Sequence, residues 1–406
     1  MKKYILMLWL LVSLSLLSGC GGGQEIESCL FVLSMAVDPA PDGNLTVTVK
    51  ALSGTQEAVG GSIQSSGGSS GDSSSQQGQG GDSSGGSAQS SGLETPEPGY
   101  IVMSATAPSS LRALNMLSAT TPRTVNLSQL REIVISQTLA ETDATLSILK
   151  EIHSMYRANG EAIVVVTPDD AGDFIRRQRA ILGVRLSKYL EVLYDHFAEM
   201  DTIPPDAQLA SVIAAMESDT IDATAVYAAA NLFDSPLVLS GSADMNRLPG
   251  HLPRTSPAEN EYLGCALFSG TRMTGTLTGE ETGLLCLMSG QARRQQTYIG
   301  NALYRTNLPT RVKRRIEEDG TLSVSIHMSL THMAGEEQET AASIAAMIER
   351  EAVGVLLRLR AASSDAVGFG RIAIRKSPDI PSWEARHWPD EYETLGVRVS
   401  ADVKVL

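Results

Sequence analysis

Residues 60–92, GGSIQSSGGSSGDSSSQQGQGGDSSGGSAQSSG, limit the fold more than any other segment. Of these 33 residues 24 are Gly or Ser, and Ile63 is the only large apolar side chain. Such a segment buries too little apolar surface to offset the entropy of ordering it, so 52–98 is expected to be a disordered insertion. Its flanks read differently. Leu45–Ala51 (LTVTVKA) alternates like a strand, and Tyr100–Ala105 (YIVMSA) can pair with it. The tract therefore reads as an insertion within one domain, not as a linker between two. As a flexible coil it would span only ~30 Å. Deleting 60–92 is expected to leave the melting temperature nearly unchanged; a large drop in a thermal scan would show that the tract docks on the fold.

The N-terminus sets the address. Lys2 and Lys3 precede an apolar run from Tyr4 to Leu17, the layout of a signal peptide. The run is shorter than the ~20 residues that cross a bilayer as a helix. It ends in Leu17-Ser18-Gly19-Cys20, a spacing that resembles a bacterial lipobox. Cleavage after residue 19 would leave Cys20 as the acylated N-terminus, and two or three acyl chains anchor a protein firmly. Losing two lysines takes the formal net charge from −14 to −16.

With 406 residues, 42% of them apolar, the chain has room for two or three domains of roughly 100–200 residues. The acidic balance excludes nucleic acid, which is bound through Lys and Arg on phosphates. It also argues against broad electrostatic attachment to anionic lipid. Aromatics at 5% are too few for base-stacking grooves. The four cysteines, Cys20, Cys29, Cys265 and Cys286, form no CxxC and pair with no His at zinc spacing. No metal or cofactor site is expected.

Apolar periodicity divides the rest. Cys29–Asp38 reads as a strand followed by a turn at Pro39–Gly43. Helices are expected at Ser109–Ser118 and Leu139–Ala158, with strands at Arg131–Gln137 and Glu161–Thr167. Ser187 can cap a helix carrying Leu190, Leu193, Tyr194 and Phe197 on one face. Pro204 and Pro205 open a helical segment with Leu209, Val212, Ile213 and Met216. Prolines at 236, 249, 253 and 257 mark 234–260 as a linker. This gives a signal peptide (1–19), an N-terminal region (20–233) with space for two small domains, the linker, and a C-terminal domain (261–406). In the last, Leu263–Ser269 and Arg272–Leu277 form a hairpin, and Thr278-x-x-Glu281 is a capping box for a helix ending at Gly290. Asp319-Gly320 turns a second hairpin. Thr340–Ala361 is the longest helix. The chain closes with Gly370–Lys376 and a strand whose one face is Val397, Val399, Ala401, Val403 and Val405. Strands flank long helices without a regular βα repeat, so the fold class is α+β: multi-domain, with mixed β-sheets and flanking helices.

Catalytic patterns are weak. G-x-S-x-G occurs at Gly67–Gly71 and Gly81–Gly85, both inside the Gly/Ser tract, where no rigid strand–turn–helix can hold a nucleophile. His327 and His332 read as solvated surface histidines. Glu280-Glu281 and Glu336-Glu337 stand at helix starts, where the macrodipole accounts for them. The basic run Arg311–Arg315 reads as a solvated strand. Cys265 and Cys286 are either buried free thiols or a bridge. The reading is of a protein that is not an enzyme.

Several segments resemble the Ger(x)C lipoproteins, the C subunits of spore germinant receptors. After Cys20 the chain keeps Glu25-Ile26-Glu27 of the family's C-W-D-x-R-E-I-E, without the Trp-Asp. Phe31–Asp38, Asp42-Gly43 and the Thr46–Lys50 strand resemble its G-x-D … G-K-x-x-V-T-V. Leu111–Ser118, Pro122-Arg123 and Glu132–Ala140 resemble a later helix, turn and strand, with Ser128-Gln129 where the family often has G-H. More specific is 264–285, where Gly264 to Gly275 (GCALFSGTRMTG), Leu277 and Glu280-Glu281-Thr282-Gly283 are similar to G-x-A-V-F-K-x-x-K-L-V-G-x-L-x-x-E-E-T-x-G-L-L. Finally, Asp365, Gly368-Phe369-Gly370, Trp383, Trp388 and Tyr392 resemble D-x-F-G-F-G … W … W … F. The resemblance implies a non-enzymatic receptor subunit with an α+β fold of three small domains on mixed sheets. It would be lipid-anchored through Cys20 on the outer face of the spore inner membrane, beside an A subunit and a polytopic B subunit that respond to nutrients. Whether it touches a germinant is left open. The competing reading is a substrate-binding lipoprotein of an importer, which usually has two lobes of repeated βαβ units.

Overall fold

The computed structural model describes residues 28–53, 99–156, 158–183, 185–231, 246–254, 256–299, 302–335 and 339–406. They form an α+β architecture of two mixed sheets with flanking helices. β1 (Cys29–Pro39) is an almost wholly buried run of β-formers. β2 (Leu45–Leu52) and β3 (Tyr100–Ala107) pair antiparallel, with Leu45 opposite Ala107 and Leu52 opposite Tyr100. The 47 intervening residues, 53–99, thus join two adjacent strands, as an insertion within one domain would.

The chain continues through α1 (Ser110–Ala119), β4 (Thr124–Asn126), β5 (Glu132–Ser136), α2 (Gln137–Ala140), α3 (Ala144–Tyr156), β6 (Ile163–Thr167), α4 (Ala171–Arg177), α5 (Leu186–Glu199), α6 (Leu209–Met216) and β7 (Thr224–Ala230). β1, β5, β6 and β7 lie parallel at the centre of the first sheet. Both faces of that centre are covered, which is why these strands read as continuous apolar runs. Ile133, Ile135, Val164 and Val166 face a core with α1, α3 and α6. Val134, Val165 and Val226 face α4 and α5.

Three local expectations change. The helix expected over Leu139–Ala158 breaks into α2 and α3, because the Thr142 hydroxyl donates to the Leu139 carbonyl (2.7 Å) and accepts from the Ala144 N–H (3.3 Å). Ser187 does not cap α5. Arg185 precedes the first turn, and the orphan Leu186 N–H donates to the Tyr100 hydroxyl (2.8 Å). Pro204 and Pro205 do not open α6. Gln208 bridges to Ile163, and the first helical N–H groups, of Leu209 and Ala210, donate to the Ala162 and Gly160 carbonyls.

β8 (Asn260–Ser269) and β9 (Arg272–Leu277) add antiparallel to β7, completing the order β3-β2-β1-β5-β6-β7-β8-β9, with β4 beside β1. A division at 234–260 therefore leaves two strands of the first sheet on its C-terminal side. The described residues form two sheets.

α7 (Gly279–Ser289) has the expected capping box between Thr278 and Glu281 and ends at left-handed Gly290. The second sheet is β10 (Gln296–Ile299), β11 (Ala302–Ile316), β12 (Leu322–Ala334) and β13 (Val397–Val405). β11 and β12 form the hairpin turned by Asp319-Gly320, whereas β12 and β13 are parallel. Parallel neighbours need a crossover. It is supplied by α8 (Ala341–Ala361) and three short helices, α9 (Gly370–Ala373), α10 (Ile380–Glu384) and α11 (Trp388–Thr394). α8 packs Ala352, Val355, Leu356 and Leu359 on Leu322, Val324, Ile326 and Val399. Cys265, Leu267 and Leu277 of the first sheet share this core, so one apolar cluster spans both sheets.

Candidate functional site

The two sheets are joined where the loop before β7 meets the segment between α8 and α11. Asp365 is the centre. Its Oδ1 accepts from the N–H groups of Gly368 (3.0 Å) and Phe369 (2.9 Å), and its Oδ2 from Gly370 N–H (2.6 Å) and the Trp388 indole N–H (3.1 Å). Three of these donors are the consecutive backbone N–H groups leading into α9, so the carboxylate ties the start of that helix to an aromatic stack. Trp388 lies 5.9 Å from Trp383 and from Tyr392, ring centre to ring centre, and all three are buried.

Across the seam, Asp222 takes up the Asp365 backbone. Its Oδ2 accepts from Asp365 N–H (2.7 Å), its Oδ1 from Gly270 N–H (2.9 Å), and its own N–H donates to the Asp365 carbonyl (3.3 Å). The Trp383 indole N–H donates to Asp219 (2.6 Å). Burial pushes the Asp365 carboxyl up to about 7, with its N–H donors pulling it down and Asp222 pushing it further up. The Asp222 carboxyl is raised as well, mainly by burial. Gly370 is required by close approach: a Cβ there would lie 2.6 Å from the Thr220 carbonyl oxygen and 2.7 Å from the Trp388 indole nitrogen. Gly368 sits at φ +81°, which favours glycine.

A second tie lies beside α7. Asp201 accepts from the backbone N–H groups of Arg293 (2.8 Å) and Arg294 (2.8 Å). The adjacent Thr202 carbonyl accepts from Gly264 N–H (2.7 Å). Gly264, at φ +102°, would carry a Cβ only 2.3 Å from the Leu277 carbonyl oxygen, so no other residue fits without moving the β8–β9 pair. Cys265 and Cys286 are both buried free thiols, their pKa values raised by burial. Between the two ties opens a cleft of about 360 Å³, lined among others by Pro204, Thr220, Asp222, Gln291 and Arg371.

The residues singled out from sequence fall unevenly. Gly264, Asp365, Gly368, Gly370, Trp383, Trp388 and Tyr392 meet at or beside this junction. Asp201, Asp219 and Asp222, which complete it, carried no signal beyond polar loops. His327 is exposed and paired with Asp402 (3.3 Å), and His332 packs edge-on to Tyr304. Cys20 and the two G-x-S-x-G matches lie outside the described residues. Among the described residues, no group of three or more His, Cys, Asp and Glu side chains could hold a metal, and no helix is long and apolar enough to cross a membrane.

Carboxylates spent on backbone N–H groups, an aromatic stack and close-approach glycines hold two sheets in register; they make a joint. The class is an α+β protein of two mixed sheets joined through a shared apolar core. Two family models match the chain, and their boundary falls between β7 and β8 of the first sheet. A family described as "Spore germination protein N-terminal domain" matches residues 22–230, and one described as "Spore germination B3/GerAC like, C-terminal" matches 263–406. The chain belongs to this GerAC-like family of spore germination proteins. Proteins of the family are non-catalytic receptor components, and this chain is not an enzyme. No curated protein sequence matches it. A solved structure titled "Crystal Structure of the GerBC protein" is similar at a TM-score of 0.42 and 12% identity, over 92% of this chain and 96% of that one.

Proposed function

We propose that the chain is the lipid-anchored C subunit of a spore nutrient-germinant receptor. In this reading residues 1–19 are removed, Cys20 carries the acyl chains, and the protein sits on the outer face of the spore inner membrane. It acts there through contact with an A subunit and a polytopic B subunit. The observation that carries the reading is positional. The family match begins at residue 22, two residues beyond a lipobox cysteine. β1 starts at Cys29, nine residues beyond Cys20, so an anchor at Cys20 would keep β1 within about 30 Å of the bilayer. The joint around Asp365 supports a role in which the two sheets are presented as one body.

Two experiments test it. Cys20→Ala is expected to move the protein from membranes washed at about 0.5 M salt, which screens electrostatic adhesion, into the soluble fraction while its melting temperature stays the same; persistence in the washed membrane would remove the lipid anchor. A pull-down from spore inner membranes through the C-terminal domain is expected to recover A-type and B-type subunits. Recovery of an ATPase and permease would make it an importer's binding protein.

A further inference from the structure

The second sheet has one covered face and one bare face. α8 lies on the side of Val324, Ile326 and Val399. Positions between them alternate outward, and this outward face is basic. β11 presents Arg305, Arg311, Lys313 and Arg315, and β13 presents Arg398 and Lys404, all exposed. β12, between them, contributes Ser323, Ser325 and His327. The register aligns the rows: Arg315 lies opposite Ser323 and Ser323 opposite Arg398, while Lys313 lies opposite Ser325. Two cation rows thus run about 10 Å apart on either side of a serine row. Asp402 is the one acid on this face among the described residues, and it is paired with His327. Glu317, Glu318 and Asp319 stand in the turn beyond Arg315. At the opposite end three apolar side chains are exposed: Tyr298 at 76%, Met333 at 44% and Leu406 at 74%.

In a chain of net charge −14, six cations against one acid reverse the sign locally. A surface within a Debye length of about 10 Å senses this face and not the whole-chain charge. We propose that this face of the four-stranded sheet docks on an anionic bilayer surface, with Lys and Arg on lipid headgroups and Tyr298, Met333 and Leu406 at the headgroup–acyl boundary. The face favours lipid over an acidic protein for two reasons. Its cations are spread in rows over a flat sheet instead of gathered around a pocket, and long Lys and Arg stems reach a plane easily. The exposed Tyr and aliphatic side chains at one end are those that partition into a bilayer interface. The inference draws on the membrane address proposed above, but its test makes no use of the acyl anchor, so the two can fail separately.

The test uses the chain from residue 20 with Cys20→Ala, which carries no acyl group. It is sedimented with vesicles of phosphatidylcholine alone and with vesicles containing equal parts phosphatidylglycerol. Binding is expected to the anionic vesicles only, and to be lost at about 0.5 M salt. Adding Arg311→Thr, Lys313→Thr and Arg315→Thr should weaken the partition coefficient about 100-fold. Arg398→Thr with Lys404→Thr, on the other row, should weaken it about 30-fold. Lys150→Gln, Lys188→Gln and Arg272→Gln change the net charge by the same three units away from the sheet and should leave binding in place. Equal binding to both vesicles, or an equal loss in that control, overturns the proposal. Binding to neither also overturns it, and the face would then fit an acidic protein surface.

Discussion

Replacing Asp365 with alanine is expected to lower the unfolding free energy by about 4 kcal/mol at pH 7, measured by urea denaturation of the unacylated chain. The side chain is 2% exposed, and its two oxygens serve four N–H groups, three of them backbone. Alanine leaves all four without an acceptor, at about 1–3 kcal/mol for each that water cannot reach. It also frees the Trp388 ring and the start of α9, where Gly370 lies close against the Thr220 carbonyl of the loop before β7. A loss below about 1 kcal/mol would mean that the junction does not depend on this carboxylate.

Asp365→Asn isolates the charge. The amide keeps one oxygen for Gly368 and Phe369 but turns an NH₂ toward Gly370 N–H and the Trp388 indole. Asp365 has a folded pKa raised to about 7, against about 3.9 for an unfolded aspartate. A raised carboxyl contributes stability that is complete below the unfolded value and is lost as pH rises through the folded one. Wild type should therefore lose about 2 kcal/mol between pH 5 and 7.5 that the asparagine variant does not lose. Parallel pH profiles for the two proteins would contradict the raised value.

What could be read in the sequence was local. The β2–β3 pair around the Gly/Ser tract, the Thr278–Glu281 capping box with Gly290, the Asp319-Gly320 hairpin and the alternating final strand each carry their signal within ten or so residues. What could not be read depends on partners far along the chain. Ser187 is a good cap by type, yet α5 is started by the Tyr100 hydroxyl, 86 positions away. The prolines of 234–260 suggest a linker, and nothing in them tells that β8 pairs with β7 on its other side. The junction was half visible: the glycines and tryptophans stood out through a family resemblance, while Asp201, Asp219 and Asp222 are ordinary loop acids until folded. The basic face shows the same limit. Arg311–Arg315 reads correctly as a solvated strand, but Arg398 and Lys404 join it only through the parallel register of β12 and β13.

The clearest hidden feature is the polar layer beneath α4 and α5. Lys50 and Glu132 are of a type mostly found at the surface, yet both are buried, at 2% and 0% exposure. Lys50 Nζ donates to the Gln178 carbonyl and lies 5.7 Å from the Tyr100 ring centre. Glu132 accepts from the Gln178 amide and the Tyr194 hydroxyl, and Gln178 also donates to the Tyr262 hydroxyl (2.9 Å). Burial raises the Glu132 carboxyl, and these donors, with Lys50, pull it down. Lys50→Met keeps the length of the stem and removes the charge. The expected cost is about 3–5 kcal/mol at pH 8, because the remaining buried carboxylate loses its nearby cation. The sign of the pH dependence follows from the raised carboxyl: without Lys50 its folded pKa rises further, so the variant's deficit should shrink toward pH 5, where Glu132 takes up a proton, and grow toward pH 8. Adding Glu132→Gln should recover most of the loss at pH 8, since the amide carries no charge to strand. A deficit that stays constant from pH 5 to 8 would assign the cost to lost packing around Tyr100, and the carboxylate would have no share in it.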